Sequence, residues 1–174
     1  MTDPVRRVHY FFGQLLTSDD LQTEQDYHRE MRYLHNRLLG HGVVHGLDVT
    51  VGDGSTVVVS PGIAIDPCGR EIVLADEVHI DLRESADPDG SLDLTATWDQ
   101  EPDSFVVSID QGGGEAAFSR WLERPRLALV PPGEAPAESV VLGRILLSAG
   151  EVTAVDLGER STWRRAKTGK KARS

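Results

Sequence analysis

The chain has 174 residues, 39% apolar and 26% charged, which is enough to bury one core but few for two independent domains. No apolar run approaches a bilayer span, and the composition is too apolar for a disordered polymer, so neither membrane insertion nor an unfolded chain is expected. A formal charge of −10 argues against general nucleic-acid binding, which needs a basic face to neutralise phosphates.

The N-terminal residues Met1–Gly13 lack the apolar core and cleavage site of a signal peptide, and Cys68 is the only thiol, so synthesis in the reducing cytoplasm is expected. Tyr10, Phe11 and Phe12 form an aromatic cluster. It is expected to pack as a plug under the helix that follows, the alternative being a partner-binding patch. Thr17 or Ser18 can cap that helix, with Asp19 and Asp20 in the first turn at the positive end of the dipole. The period predicts a helix over 18–39, with Gly40 as a left-handed C-terminal cap. Tyr27, Met31, Leu34 and Leu38 fall at i, i+4, i+7 and i+11 on one face, through which the helix is expected to dock on its own domain.

After Gly42 the pattern changes to short Val-, Ile- and Thr-rich runs separated by Gly, Asp and Pro, the signature of strands and tight turns. Strands are predicted over 43–51 and 56–60, paired across the hairpin Gly52-Asp53-Gly54-Ser55. Others are expected over 63–66, 71–74, 78–82, 92–98, 105–110, 126–130, 140–147 and 152–157, the last two pairing across 148–151. Gly112–Glu115 reads as a loop, and Pro131–Pro136 is too proline-rich for a central strand. The last eleven residues carry Arg164, Arg165, Lys167, Lys170, Lys171 and Arg173 and no acid, a +6 tail that leaves −16 on the rest. Such an end, whose composition predicts disorder in isolation, is either a solubilising segment or an arm that docks on an acidic partner. The whole reads as one mainly β, sandwich- or barrel-like antiparallel domain over residues 1–163 with one long N-terminal amphipathic helix, followed by the tail 164–174.

Candidate chemistry is sparse. His28, His35, His41 and His45 could in principle converge on zinc, but His41 and His45 straddle a glycine at a helix-to-strand junction, so structural roles are favoured. Cys68 sits in the turn Asp66-Pro67-Cys68-Gly69-Arg70 with nothing obvious to activate it, and neither a nucleophile elbow nor a phosphate loop is present. No catalytic residue, metal or cofactor is expected. The competing readings are a small metal-dependent hydrolase built on the four histidines, and a carbohydrate- or surface-binding β module using Trp98, Trp121 and Trp163.

Tyr10-Phe11-Phe12-Gly13-Gln14-Leu15-Leu16-Thr17-Ser18-Asp19-Asp20-Leu21, then Glu24-Gln25-Asp26-Tyr27, His35-Asn36-Arg37-Leu38-Leu39 and Gly42-Val43-Val44-His45-Gly46-Leu47, resemble a module of phage-tail-like contractile injection system gene clusters. Pro61-Gly62-Ile63-Ala64-Ile65-Asp66 with Gly69-Arg70-Glu71, and Leu142-Gly143-Arg144-Ile145 followed by Asp156 and Arg160, look like a β module of phage baseplate and tail-fibre proteins. The resemblance spans roughly residues 8–160 and carries over no catalytic or ligand residue. It implies a non-enzymatic structural or adaptor subunit of the baseplate or fibre-attachment region, with other particle subunits as partners and self-association left open. A fibre would continue into a repetitive shaft and tip, so an adaptor is expected.

Overall fold

The computed structural model describes residues 6–83, 89–107 and 116–165. The one helix among the described residues, α1 (Ser18–Leu39), begins at Thr17, whose hydroxyl accepts from the Asp20 amide while the Asp20 carboxylate accepts from the Thr17 amide. This reciprocal box satisfies two backbone donors that the first turn leaves open and sets the start of the helix. The far end differs from expectation. Gly40 lies at φ 131° and ψ −179°, not in the left-handed helical region, and the chain runs straight into strand β1 (Gly40–Gly46). No helix among the described residues is long and apolar enough to cross a membrane.

Among the described residues twelve further strands follow: β2 (Val49–Val51), β3 (Thr56–Val59), β4 (Gly62–Ile65), β5 (Glu71–Leu74), β6 (Val78–Asp81), β7 (Ser91–Thr97), β8 (Gln100–Val107), β9 (Ala116–Glu123), β10 (Arg126–Val130), β11 (Val140–Ser148), β12 (Glu151–Asp156) and β13 (Arg164–Arg165). They form antiparallel sheets ordered β13-β1-β4-β5, β10-β7-β11-β12 and β2-β3-β6, with β8 and β9 as a separate two-stranded ribbon; no sheet closes into a barrel. The hairpins β2–β3 and β11–β12 pair as the turn residues predict. The predicted strand 43–51 is broken in two, because Gly46 and Leu47 both take positive φ, 61° and 55°, and swing the chain from one sheet to another. Strand β9 was not anticipated, and β8 starts earlier than expected. Pro102, Asp103 and Ser104 are poor strand formers, tolerated because a ribbon is all edge. The glycine loop predicted at 112–115 lies outside the described residues.

The three larger sheets share one core. It includes Val43 from β1, Val57 and Val59 from β3, Ile72 and Leu74 from β5, Leu94 and Ala96 from β7, and Leu142 and Ile145 from β11. Along β11 the period-two alternation slips once, at a bulge between Val141 and Gly143, which brings Leu142 and Ile145, three residues apart, both inside.

Two joints fasten the sheets to one another, and a third clamps neighbouring strands within one sheet. At the first, β1 receives the segment 161–163: the Val43 amide donates to the Ser161 carbonyl (2.6 Å), the Trp163 amide to the Val43 carbonyl (3.0 Å), and the Ser161 amide to the Val141 carbonyl (2.8 Å). Gly42 makes room, since a Cβ there would lie 2.6 Å from the Ser161 carbonyl oxygen. The Arg160 fork locks the same corner, one nitrogen on Asp48 (3.0 Å) and the other on the Gly46 carbonyl (2.6 Å). At the second, the fully buried Asp66 accepts from the Arg70 amide (2.8 Å) and Nε (2.6 Å). Arg70 reaches on to Glu138 (2.7 Å), and its guanidinium sits 5.1 Å from the centre of the Trp98 ring. At the third, Arg144 of β11 clamps Asp93 of β7 through Nε (2.7 Å) and Nη2 (3.2 Å), and Asp93 also accepts from the Gly133 amide.

The Arg144 hydrogen bonds hold the Asp93 carboxyl below the usual carboxylate range despite its burial. A depressed native pKa means that this pair stabilises the fold above the unfolded value of about 3.9 and that its contribution is lost as pH falls through the native one. Asp93→Asn is therefore expected to lower the melting temperature at neutral pH and to flatten its decline below about pH 4. A decline as steep as in the parent would remove Asp93 as its source. Leu142→Ala, at a fully buried site, is expected to cost about 2–5 kcal/mol in denaturant unfolding, and Leu38→Ala, 68% exposed, far less.

Candidate partner-binding surface

The N-terminal segment is closed on itself. The Gln14 amide donates to the Phe11 carbonyl (3.2 Å), the Phe11 amide to the Gln14 side-chain oxygen (3.3 Å), and Gly13 supplies the positive φ of 84° that the turn requires. Closing the turn turns its side chains outward. Phe12 is fully exposed, and Tyr10, Phe11, Leu15 and Leu16 are exposed as well. The expectation that Tyr10, Phe11 and Phe12 form a plug under the helix is thereby corrected: a short turn satisfied by its own hydrogen bonds need not descend into the core.

The helix is corrected in the same sense. Its contact with the β domain is made by the side carrying Arg32, Tyr33, Asn36 and Arg37. Asn36 Nδ2 donates to the Gly69 carbonyl and to Glu71 (both 2.8 Å), Arg32 Nε pairs with Glu71 (3.0 Å), and Arg37 Nη1 donates to the Cys68 carbonyl (2.8 Å). Tyr33, 8% exposed, is the one buried residue of the helix, and burial pushes its phenol up; among the described residues its hydroxyl has no hydrogen-bond partner. Gly69, at φ 89°, lets the β4–β5 turn press on the helix, for a Cβ there would collide with the Tyr33 carbonyl oxygen. Of the four residues predicted to dock, Tyr27 and Met31 are half-buried while Leu34 and Leu38 are exposed. The Leu34 and Leu38 part of the stripe is left open to solvent, while the helix is seated by these hydrogen bonds together with the burial of Tyr33.

The β8–β9 ribbon adds a third apolar surface that the sequence reading missed. Phe105 and Phe118 pair across it with ring centres 4.3 Å apart, and both are exposed together with Trp121 and Leu122. The only sequence signal was the aromatic content of an otherwise polar stretch. Of the basic tail, Arg164 and Arg165 form β13, where Arg165 pairs with Gly40 and Arg164 with His41, so the sheet takes in the first two residues of the predicted tail. Lys167, Lys170, Lys171 and Arg173 lie outside the described residues.

The other candidate groups do not assemble. His28 pairs with Glu24 (3.0 Å), His35, His41 and His45 are exposed, and among the described residues no three His, Cys, Asp or Glu side chains are grouped to hold a metal ion. Cys68 is half-buried in its turn. Trp98 is held beneath Arg70 and packs on the core, apart from the exposed Trp121 and Trp163. A shallow depression beside β5, with a volume of about 20 Å³, is lined by Glu71, Trp98, Glu123 and Arg124 and is far smaller than the roughly 300–1,000 Å³ of small-molecule pockets.

No family model matches the chain, and no curated protein matches it. Solved structures do. A chain of the type VI secretion system TssK–TssF–TssG baseplate subcomplex superposes with a TM-score of 0.54 and 16% identity, covering 88% of this chain and 60% of that one. TssK in its crystal structure gives a TM-score of 0.50 and 14% identity, covering 88% of this chain and 41% of that one. The chain thus spans less than two thirds of either neighbour, and at these identities the likeness is one of fold.

Proposed function

We propose that this chain is a non-enzymatic structural adaptor subunit of a contractile, phage-tail-like injection particle, acting at the baseplate or fibre-attachment region. The observation that carries the reading is the fold likeness, over 88% of the chain, to a protein chain of a secretion-system baseplate subcomplex. The surface supports it. Exposed Phe11, Phe12, Leu38 and Trp121 lie on three separate elements, more than scattered single apolar residues would provide, as expected of a subunit that contacts several neighbours. The best-formed ionic groups, Asp66–Arg70–Glu138, Asp93–Arg144 and Asp48–Arg160, are spent on joining strands.

The direct test is composition. Particles purified from the native host, intact by electron microscopy, are expected to contain the chain in fixed ratio to sheath and tube. Intact particles without it would overturn the reading. The basic tail supplies a second test, because four cations beyond Arg165 can reach an acidic neighbour without a buried contact. Removing residues 166–174 keeps β13 and is expected to leave the melting temperature unchanged while weakening incorporation. The deficit should be greatest at low ionic strength and shrink as salt shortens the Debye length, about 8 Å under physiological conditions. Incorporation equal to the parent across a salt series would make the tail a solubilising end.

A further inference from the structure

We propose that α1 is a self-association element: two copies of the chain pair their helices antiparallel through the stripe Tyr27, Met31, Leu34 and Leu38. The spacing of these residues, 4-3-4, is that of a two-position heptad seam, narrower than the stripe a helix uses to cover a sheet. The structure shows what the spacing alone does not, that Leu34 and Leu38 of this seam are open to solvent while Tyr27 and Met31 are half-buried. At about 100° per residue, the centre of the stripe lies about 160° around the helix from the centre of the side formed by Arg32, Tyr33, Asn36 and Arg37. A second helix can therefore reach the seam without displacing any contact that seats the first. Leu34 and Leu38, 43% and 68% exposed, are the residues it would cover most.

Charge complementarity selects the occupant and its direction. Glu30 and Arg37 flank the seam on the same side, and among the described residues Glu30 has no ion pair. Arg37 has one nitrogen fixed on the Cys68 carbonyl, which holds its long stem in place. An antiparallel two-fold pairing layers Met31 on Leu34 of the second copy and Tyr27 on Leu38 of the second copy. It then sets Glu30 beside Arg37 of the second copy twice over, by symmetry. A contact of this kind is closed, so it yields a dimer and not a filament.

The proposal does not rest on the particle reading, because it is tested on the purified chain alone. Sedimentation equilibrium over a concentration series is expected to show a monomer–dimer equilibrium. Leu34→Glu and Leu38→Glu, at exposed sites, are expected to abolish the dimer while keeping the circular dichroism spectrum and melting temperature of a dilute sample. Glu30→Arg should weaken association several-fold, and the difference from the parent should narrow as salt rises. For direction, Met31→Cys and Leu34→Cys are made separately with Cys68→Ser. Their mixture is expected to form an intermolecular disulfide that neither forms readily alone. A chain monomeric throughout, a dimer indifferent to Leu34→Glu, or self-cross-linking of each single variant as in parallel packing would each overturn the proposal.

Discussion

A β structure built from several short sheets can bury a common core only if the sheets approach closely where the chain passes between them, and side chains stand in the way. Here that approach is made by backbone. Gly42, Gly46 and Gly62 lie where a Cβ would strike Ser161, Pro61, and the His45–Leu47 backbone, respectively. With those positions bare, β1 can pair with β4 on one side and accept the 161–163 segment on the other, and Leu47 can be driven fully inside at the crossing. An alanine at Gly46 or Gly62 would force backbone apart from backbone, where no rotamer change can relieve the contact.

The same joints give a physical reason for the motifs in the sequence. Gly42 to Leu47, Pro61 to Asp66, Gly69 with Arg70, and Arg144 with Arg160 are not grouped around a cavity. Each instead fills a position where two strands, or a strand and the helix, are pinned together. Asp66 and Arg70 were legible as a turn, since Asp, Pro and Gly mark one, but nothing local announced that the carboxylate would be fully buried and the guanidinium would reach Glu138 and the Trp98 ring. Partners 68 residues apart are not visible in a window of a dozen.

What the sequence made clear follows the same division. Helix α1 was readable to the residue because Thr17 and Asp20 close a capping box within three positions, and the β2–β3 and β11–β12 hairpins were readable because their turns are local. Periodicity identified Tyr27, Met31, Leu34 and Leu38 as one face, yet it carries no information on what that face meets. The seating was decided elsewhere, by Asn36 and Arg37 finding the carbonyls of the β4–β5 turn. Strand β9 escaped because Ala, Ser, Arg and Glu have little strand preference of their own and are held there by the register with β8.

The 161–163 segment has a temporal meaning as well. Val43 meets Ser161 and Trp163, and Asp48 meets Arg160, 112 residues further along the chain. During synthesis β1 emerges early and must wait, with its hydrogen bonds to that segment unmade, until nearly everything between has been translated. Hairpins such as β2–β3 can form as they leave the ribosome; the corner that unites the sheets cannot, because closing so long a loop comes last and slowly. For that interval Val43 of β1 lacks the neighbours that later bury it, and water itself favours its association with the wrong ones.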